Sequence, residues 1–484
     1  MGSTWWNTLI AAARLDEFPV QDNTRRELAQ RLVETELPLR RIAEIVLHDP
    51  GLALRLLQQA NALVEHRFFR REIVTLDDAI HMLGARRLLD IAHAAPVAET
   101  VLDTRRLEHY RRCSGRAWLA ALLARDWAEL ARDRVPAEIT LAALLNDLGE
   151  LYLLVHGDAR INRYLTMRQH PNVWPHEAEY VTLSLNLEAL GYSLAAAWTL
   201  PELVRESMRG RNARHSRPLL AMLATQLARH AFGGWRHPTY SNDLALVAEL
   251  LECDEIVVSE RVARVLAQFN ARALMYTLQP LAALPHTDSQ DPRFSLPLSS
   301  APLFCLAPHA DEFKQAATAL MNGTITDRDT LIQTWLTGLH RGLGLNRVVY
   351  AAFDPERRML TAEQTLGTDF EPGFNRLRQA VAESELLVAL LRAPQVLWLD
   401  AHQHAAQWAQ LPPAVKTLTG VESCFLRSVW VRGQPLGLLY ADRRSPACAL
   451  DARAYQGLQQ LSALAETAWA RVESGSRSRN TSGL

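Results

Sequence analysis

From residue 1 to about 285, apolar side chains recur every three or four positions and almost never alternate, which confines this stretch to packed helices rather than a sheet. Leu39, Ile42, Ile45 and Val46 form one such stripe. Asp49 can cap the free N–H groups of the next helix, and Pro50 stands where its missing N–H costs nothing. Leu52, Leu56 and Leu57 then face inward. Thr75 with Asp78 has the form of a capping box, and Gly84 after Met82 and Leu83 suits a left-handed helix stop. The same spacing predicts helices over 107–132, 137–155, 176–198, 201–209, 217–232 and 241–278.

Between about 283 and 310 the sequence turns rich in Pro, Ser and His and loses its period, as an interdomain linker does. Beyond it, 327–343 predicts an amphipathic helix and 346–353 a strand turned by Asp354-Pro355. Residues 424–431 and 436–441 predict two strands joined by a turn at Arg432-Gly433-Gln434-Pro435. A helix from 453 to about 472 follows, then a polar tail expected to be disordered. The expected organisation is multidomain: an all-α domain over 1–285, a linker over 286–322, an α+β domain over 323–472 and a tail over 473–484.

A chain of 484 residues with a net charge of −1 has no long-range field to draw in nucleic acid or an anionic membrane, and neither is an expected partner. Lys314 and Lys416 are the only lysines, so nearly all positive charge sits on forked guanidinium groups. The five cysteines, Cys113, Cys253, Cys305, Cys424 and Cys448, lie far apart with no C-x-x-C pair, which suggests neither a disulfide framework nor a zinc knuckle and predicts a reducing cytoplasm. The N-terminal apolar stretch lacks a basic leader and is interrupted by Arg14 and Asp16. The longest uncharged run, 294–308, contains Pro297, Pro302 and Pro308, so no membrane span is expected.

Residues 37–84 resemble the opening of HDOD domains, the HD-related output domains of bacterial signalling. The likeness rests on Leu37-Pro38, Asp49-Pro50, Leu56-Leu57, Ala60-Asn61, Ala79-Ile80 and Leu83-Gly84. ALLNDLGELYLL at 143–154 and EALGYSLAAAWTLPELV at 188–204 resemble two later family segments, so the likeness runs over roughly 10–280. Related HD hydrolases hold a divalent metal on His and Asp from several helices, and the metal activates water against a phosphoester. At the corresponding positions this chain has Cys113, Asn146-Asp147, Asn186 and Met208-Arg209, so of the family's His and Asp ligands only Asp147 remains. One carboxylate beside an arginine cannot hold a catalytic ion, and an amide oxygen is a weak ligand for a transition metal. The resemblance therefore implies a domain without catalysis, metal or cofactor. Asp147 is then expected to cap a helix or pair with an arginine. Cys113, a lone thiol on an apolar helix beside Ser114 with no base at hand, is expected to be core. Asn61 is expected to bond backbone at a helix end.

Residues 323–472 resemble a GAF domain. A leading helix, GLNRVVYAAFDPE at 344–356 and GVESCFLRSVWVRGQPLGLLYADRR at 420–444 carry the likeness. Neither a cyclic-nucleotide motif nor a chromophore-attachment cysteine accompanies it.

Arg205, Arg209, Arg211, Arg214 and Arg217 crowd the place where the family has its His-His pair. Together they are a candidate anion-binding site, set against the simpler account of a solvated loop balanced by acidic residues. Asp400, His402 and His404 would share one face of an extended segment, as metal ligands can, but alternating polar residues in a loop need no metal. The expected function is non-catalytic bacterial signal transduction, with GAF-like sensing of a small ligand or partner coupled to an HDOD-like domain that binds other signalling proteins. Analogy adds a homodimer through 311–343 and 453–472. The alternative is a metal-dependent HD-type phosphohydrolase acting on a nucleotide or cyclic dinucleotide.

Overall fold

The longest helix of the N-terminal half, Thr104–Leu130, is buried on every side from Cys113 to Ala124, as its run of Ala, Leu and Trp demands. Around it pack Pro136–Leu145, Leu148–His156, Ser216–Phe232 and Glu255–Ala273. The computed structural model describes residues 3–32, 38–65, 72–170, 173–235, 240–285, 305–368, 371–444 and 448–481. Two units emerge, one of residues 1–167 with 182–296, the other of 168–181 with 297–484. The expected boundary is thereby corrected: 168–181 leaves the helical unit and belongs to the second one, because its buried side chains find their partners there, as detailed below.

Three predicted helices are broken in two. The 137–155 helix divides at Asn146-Asp147 into Pro136–Leu145 and Leu148–His156. The 176–198 helix divides into Pro175–Thr182 and Leu187–Ala197, where Ser184 takes a φ of 54° and Asn186 caps the second piece. The 241–278 helix divides into Tyr240–Leu250 and Glu255–Ala273 around Glu252 at φ 52°. At the first two breaks the polar side chains leave the helical ladder for backbone or tertiary partners, which the apolar period of the sequence does not reveal. Gly84 has φ 75° and kinks the helix Leu76–Ala94 rather than ending it. At its start Thr75 Oγ1 accepts from the Asp78 N–H and donates to the Asp78 carboxylate. Pro136–His156 is the one segment among the described residues long and apolar enough to cross a membrane, and 83% of its most apolar stretch is buried in the protein.

The second unit is built on a six-stranded antiparallel sheet of order β3-β2-β1-β6-β5-β4. The strands are β1 Arg347–Asp354, β2 Met359–Leu366, β3 Arg378–Ala380, β4 Val396–Asp400, β5 Ser423–Val431 and β6 Gln434–Asp442. Alternation sends Val348 and Tyr350 to one face and Val349 and Ala351 to the other. The first face packs on helices Ala310–Met321, Arg328–Leu343 and Ala452–Thr481 through Trp335, Leu339, Leu458 and Trp469. The second is covered by Phe374, Leu386, Leu387 and Leu390. The β5–β6 turn is only Arg432-Gly433, both at positive φ. Pro435 enters the strand opposite a bulge at Val429/Trp430, which tolerates its missing N–H.

Three expectations are corrected here. The linker is shorter than 286–322, since Ala310–Met321 is a helix whose Ala316, Ala317 and Leu320 are buried; residues 286–304 lie outside the described residues. The tail is helical to Thr481, because extending a helix anchored by Ala465, Ala468 and Trp469 fixes one residue per new hydrogen bond and needs no apolar side chain. Finally, Cys305 and Cys448 form a disulfide across 143 residues, with Cα atoms 5.6 Å apart, while Cys113, Cys253 and Cys424 are free. Tertiary folding makes that pair, and no spacing rule anticipates it.

Candidate functional site

Cys113 and Arg116 lie one turn apart on the central helix, as do Asp147 and Glu150 at the break after Leu145, so each pair presents one face. The possible ligand atoms of Cys113, Asp147 and Glu150 fall within 4.8 Å of one another. The Arg116 guanidinium occupies the position a cation would take among them. Its Nε donates to Asp147 Oδ2 at 2.6 Å, and its Nη2 reaches Glu150 Oε2 at 2.5 Å and Cys113 Sγ at 3.3 Å. Arg229, from the helix Ser216–Phe232, donates to the other Asp147 oxygen at 2.5 Å.

Burial by itself would raise the Asp147 pKa, but Arg116 and Arg229 outweigh it and hold the carboxyl below the usual range. Burial opposes the charge on Arg116 as well, and Asp147 and Glu150 more than restore it. Burial drives the Cys113 thiol well above its ordinary value, which disfavours the thiolate. These residues do not fit a divalent metal. Each carboxylate already accepts from a fixed guanidinium, and a second cation would meet Arg116 at short range. Arg116, Arg229 and Glu150 were not anticipated from the sequence; the three-residue offset of Arg116 and Glu150 from Cys113 and Asp147 was the available signal.

The remaining predicted positions have separate tasks. Asn146 donates from Nδ2 to the Ser207 carbonyl at 2.9 Å, and Asn186 Oδ1 accepts from the Ala189 N–H at 3.0 Å. Met208 is buried, and the Arg209 guanidinium lies 3.5 Å from the centre of the Tyr192 ring. Arg205 donates to the Leu200 carbonyl, Arg214 to that of Arg211, and Arg217 forks onto Asp133 and Glu138 at 3.0 and 2.6 Å. Arg205, Arg209, Arg214 and Arg217 thus point at separate partners. Asp49 accepts from the N–H groups of Leu52 and Gln21 ahead of Pro50, and Asn61 exchanges two hydrogen bonds with the Ile73 backbone. Leu83 is half-buried beside Gly84. Asp400 ends β4 and caps a turn by accepting from the N–H groups of His402 and Gln403, so Asp400, His402 and His404 do not continue one extended face.

A second charged cluster, in the sheet unit, went unforeseen. Arg347 and Asp442 are cross-strand partners, buried and paired at 2.8 Å. Arg347 also reaches Glu371 at 3.2 Å and the Thr419 carbonyl at 2.6 Å. Glu371 accepts from Arg444 at 2.6 Å. Residues of 168–181 close over this cluster. Arg444 lies 3.5 Å from the Trp174 ring centre and donates to His176 Nε2 at 3.2 Å, and Asn346 donates to Glu177 at 2.5 Å.

Among curated proteins, the chain is similar to an uncharacterized protein of Treponema pallidum (strain Nichols), 21% identical over 201 residues. That match covers 41% of this chain and 38% of the relative, so the chain spans under two fifths of the relative's length. Among solved structures it is similar to the MmoQ response regulator of Methylococcus capsulatus str. Bath, at 18% identity and a TM-score of 0.41, covering 51% of this chain and 98% of that one. It is also similar to an HDOD domain protein of unknown function from Geobacter sulfurreducens, at 18% identity and a TM-score of 0.31, covering 55% and 95%. Residues 18–214 match the HDOD domain family, a span that holds the Cys113, Arg116, Asp147 and Glu150 cluster. Residues 18–214 of this chain are an HDOD domain.

Proposed function

We propose that the protein is a non-catalytic signal-transduction component in which the HDOD domain binds another signalling protein and the sheet unit is a GAF-like sensor. The observation that carries the first part is the Arg116 guanidinium among Cys113, Asp147 and Glu150, a tethered positive charge where HD hydrolases use a metal. The GAF-like reading is supported by the leading helix, the antiparallel strand order and the β5–β6 hairpin. A signal would act by favouring one conformation over another rather than by turnover. Pairing of two copies through the helices flanking the sheet belongs to the same proposal.

The competing reading is a metal-dependent phosphohydrolase, and its specific support is the three ligand-type side chains within 4.8 Å. Metal analysis of the purified protein, with an assay on a generic phosphodiester, separates the two. The expected result is no stoichiometric metal and no turnover above background. Bound metal with turnover abolished by Asp147→Ala would overturn the non-catalytic reading. For the sensor, a thermal-shift screen of nucleotides reads binding directly, since a ligand at a hundred times its Kd adds about 2.7 kcal/mol.

A further inference from the structure

Cys305 is an exposed residue and Cys448 a buried one, so their disulfide joins a surface position to a covered one. The three remaining cysteines are free, unlike the fully paired thiols of a secreted disulfide scaffold. What the bond fastens is the segment 305–309. Leu306 in that segment is buried, and its carbonyl lies so near Gly344 that a Cβ there would come within 2.5 Å of it. The His309 N–H donates to the Arg341 carbonyl at 3.0 Å. Tyr180 stands between this segment and the end of the helix Arg328–Leu343. Its hydroxyl is 3.1 Å from the Ala307 carbonyl and 2.7 Å from that of Arg341, and its ring meets His309 at 5.1 Å and His340 at 5.3 Å. Part of the seat of residues 175–181 is therefore the segment that the disulfide pins.

We propose that Cys305–Cys448 is a reversible redox site whose state governs how firmly residues 175–181 are held on the sheet unit. A dithiol is the reductant. Its first thiolate attacks the sulfur of Cys305, the exposed residue of the pair, forming a mixed disulfide and expelling Cys448 as a thiolate that takes up a proton. The second thiolate then closes the reductant's own disulfide and releases Cys305, which is protonated in turn. Two electrons pass from the dithiol to the cystine. Freed of Cys448, residues 305–309 lose one anchor, and Tyr180 loses the fixed position of Ala307. The Trp174 and Glu177 contacts to Arg444 and Asn346 remain, so the loosening is graded along the segment. The inference stands independently of the proposed signalling role.

Hydrogen exchange on the full chain, oxidised in air and then reduced with dithiothreitol, tests it. Amides of 178–181 should exchange about tenfold faster after reduction, those of 174–177 less so, and those of β1 and β6 not at all, with reversal by oxidised glutathione. Cys448→Ser should give the fast pattern in both conditions. Unchanged exchange at 178–181, an equal rise throughout β1 and β6, or two free thiols at 305 and 448 in the air-equilibrated protein would each overturn the proposal. The wild-type comparison decides the matter even where the variant folds poorly.

Discussion

Arg116 pairs with the buried Asp147 and the half-buried Glu150, and its removal would take a guanidinium from both. Arg116→Ala should destabilise the HDOD domain by about 3–5 kcal/mol in chemical denaturation, far beyond the loss from an exposed ion pair. His48 makes a second residue-scale prediction. Burial, with a smaller contribution from Arg272, lowers its pKa to about 3, and its ring stacks on Tyr276 at 4.0 Å. Its folded pKa lies below the unfolded value, so its share of stability is fully present above about pH 6.5 and is lost as pH falls toward 3. Asp49, raised to about 6 chiefly by burial, titrates in the same window with the opposite sign, so the measurement must be differential. Between pH 7 and 5, His48→Phe should lose less stability than wild type by up to about 2 kcal/mol, read from denaturation midpoints. At this scale the sequence was legible where a residue acts on its own backbone, as Asp49 and Asn61 do. Arg229, which meets Asp147 from 82 residues away, was not, because only tertiary packing makes that pair.

Among elements, the β1–β6 pairing is the seam of the sheet unit. A Cβ on Gly437 would lie 2.1 Å from the Ala351 carbonyl, so Gly437→Ala must push the two strands apart. A cost of about 1–3 kcal/mol is expected, with faster amide exchange in β1 and β6 as the local signature. The hairpin of β5 and β6 was readable because two apolar runs flank a short turn. The strands β2, β3 and β4 were not. β2 carries Thr361, Glu363, Gln364 and Thr365, β3 has three residues, and β4 has five, too little for a period to declare itself. The breaks at Asn146-Asp147 and Ser184 were hidden for the opposite reason, since the apolar spacing runs through them.

For the whole molecule, the chain passes between its two units three times, at 167/168, 181/182 and 296/297. The sequence signalled only the last crossing, through its Pro- and Ser-rich composition. Residues 168–181 read as ordinary helix because nothing in their own pattern says which core covers them. A fragment ending at 296 should therefore be a poor stand-in for the helical half. Ala178, Tyr180 and Glu177 are buried in the second unit, and without it their amides should exchange at least about tenfold faster than in the full chain.

The Arg116 cluster has a consequence for how the domain can change over time. A cation joined by covalent bonds cannot be chelated, exchanged or starved away, so these two carboxylates have a counter-charge that does not depend on metal supply. The same tether closes the road back to metal chemistry. Losing Arg116 first deprives Asp147 and Glu150 of a shared guanidinium, and placing histidines first sets new ligands against a guanidinium that repels the ion they would bind. Either change alone is harmful and only the combination is coherent, so this domain should be held where it is by epistasis.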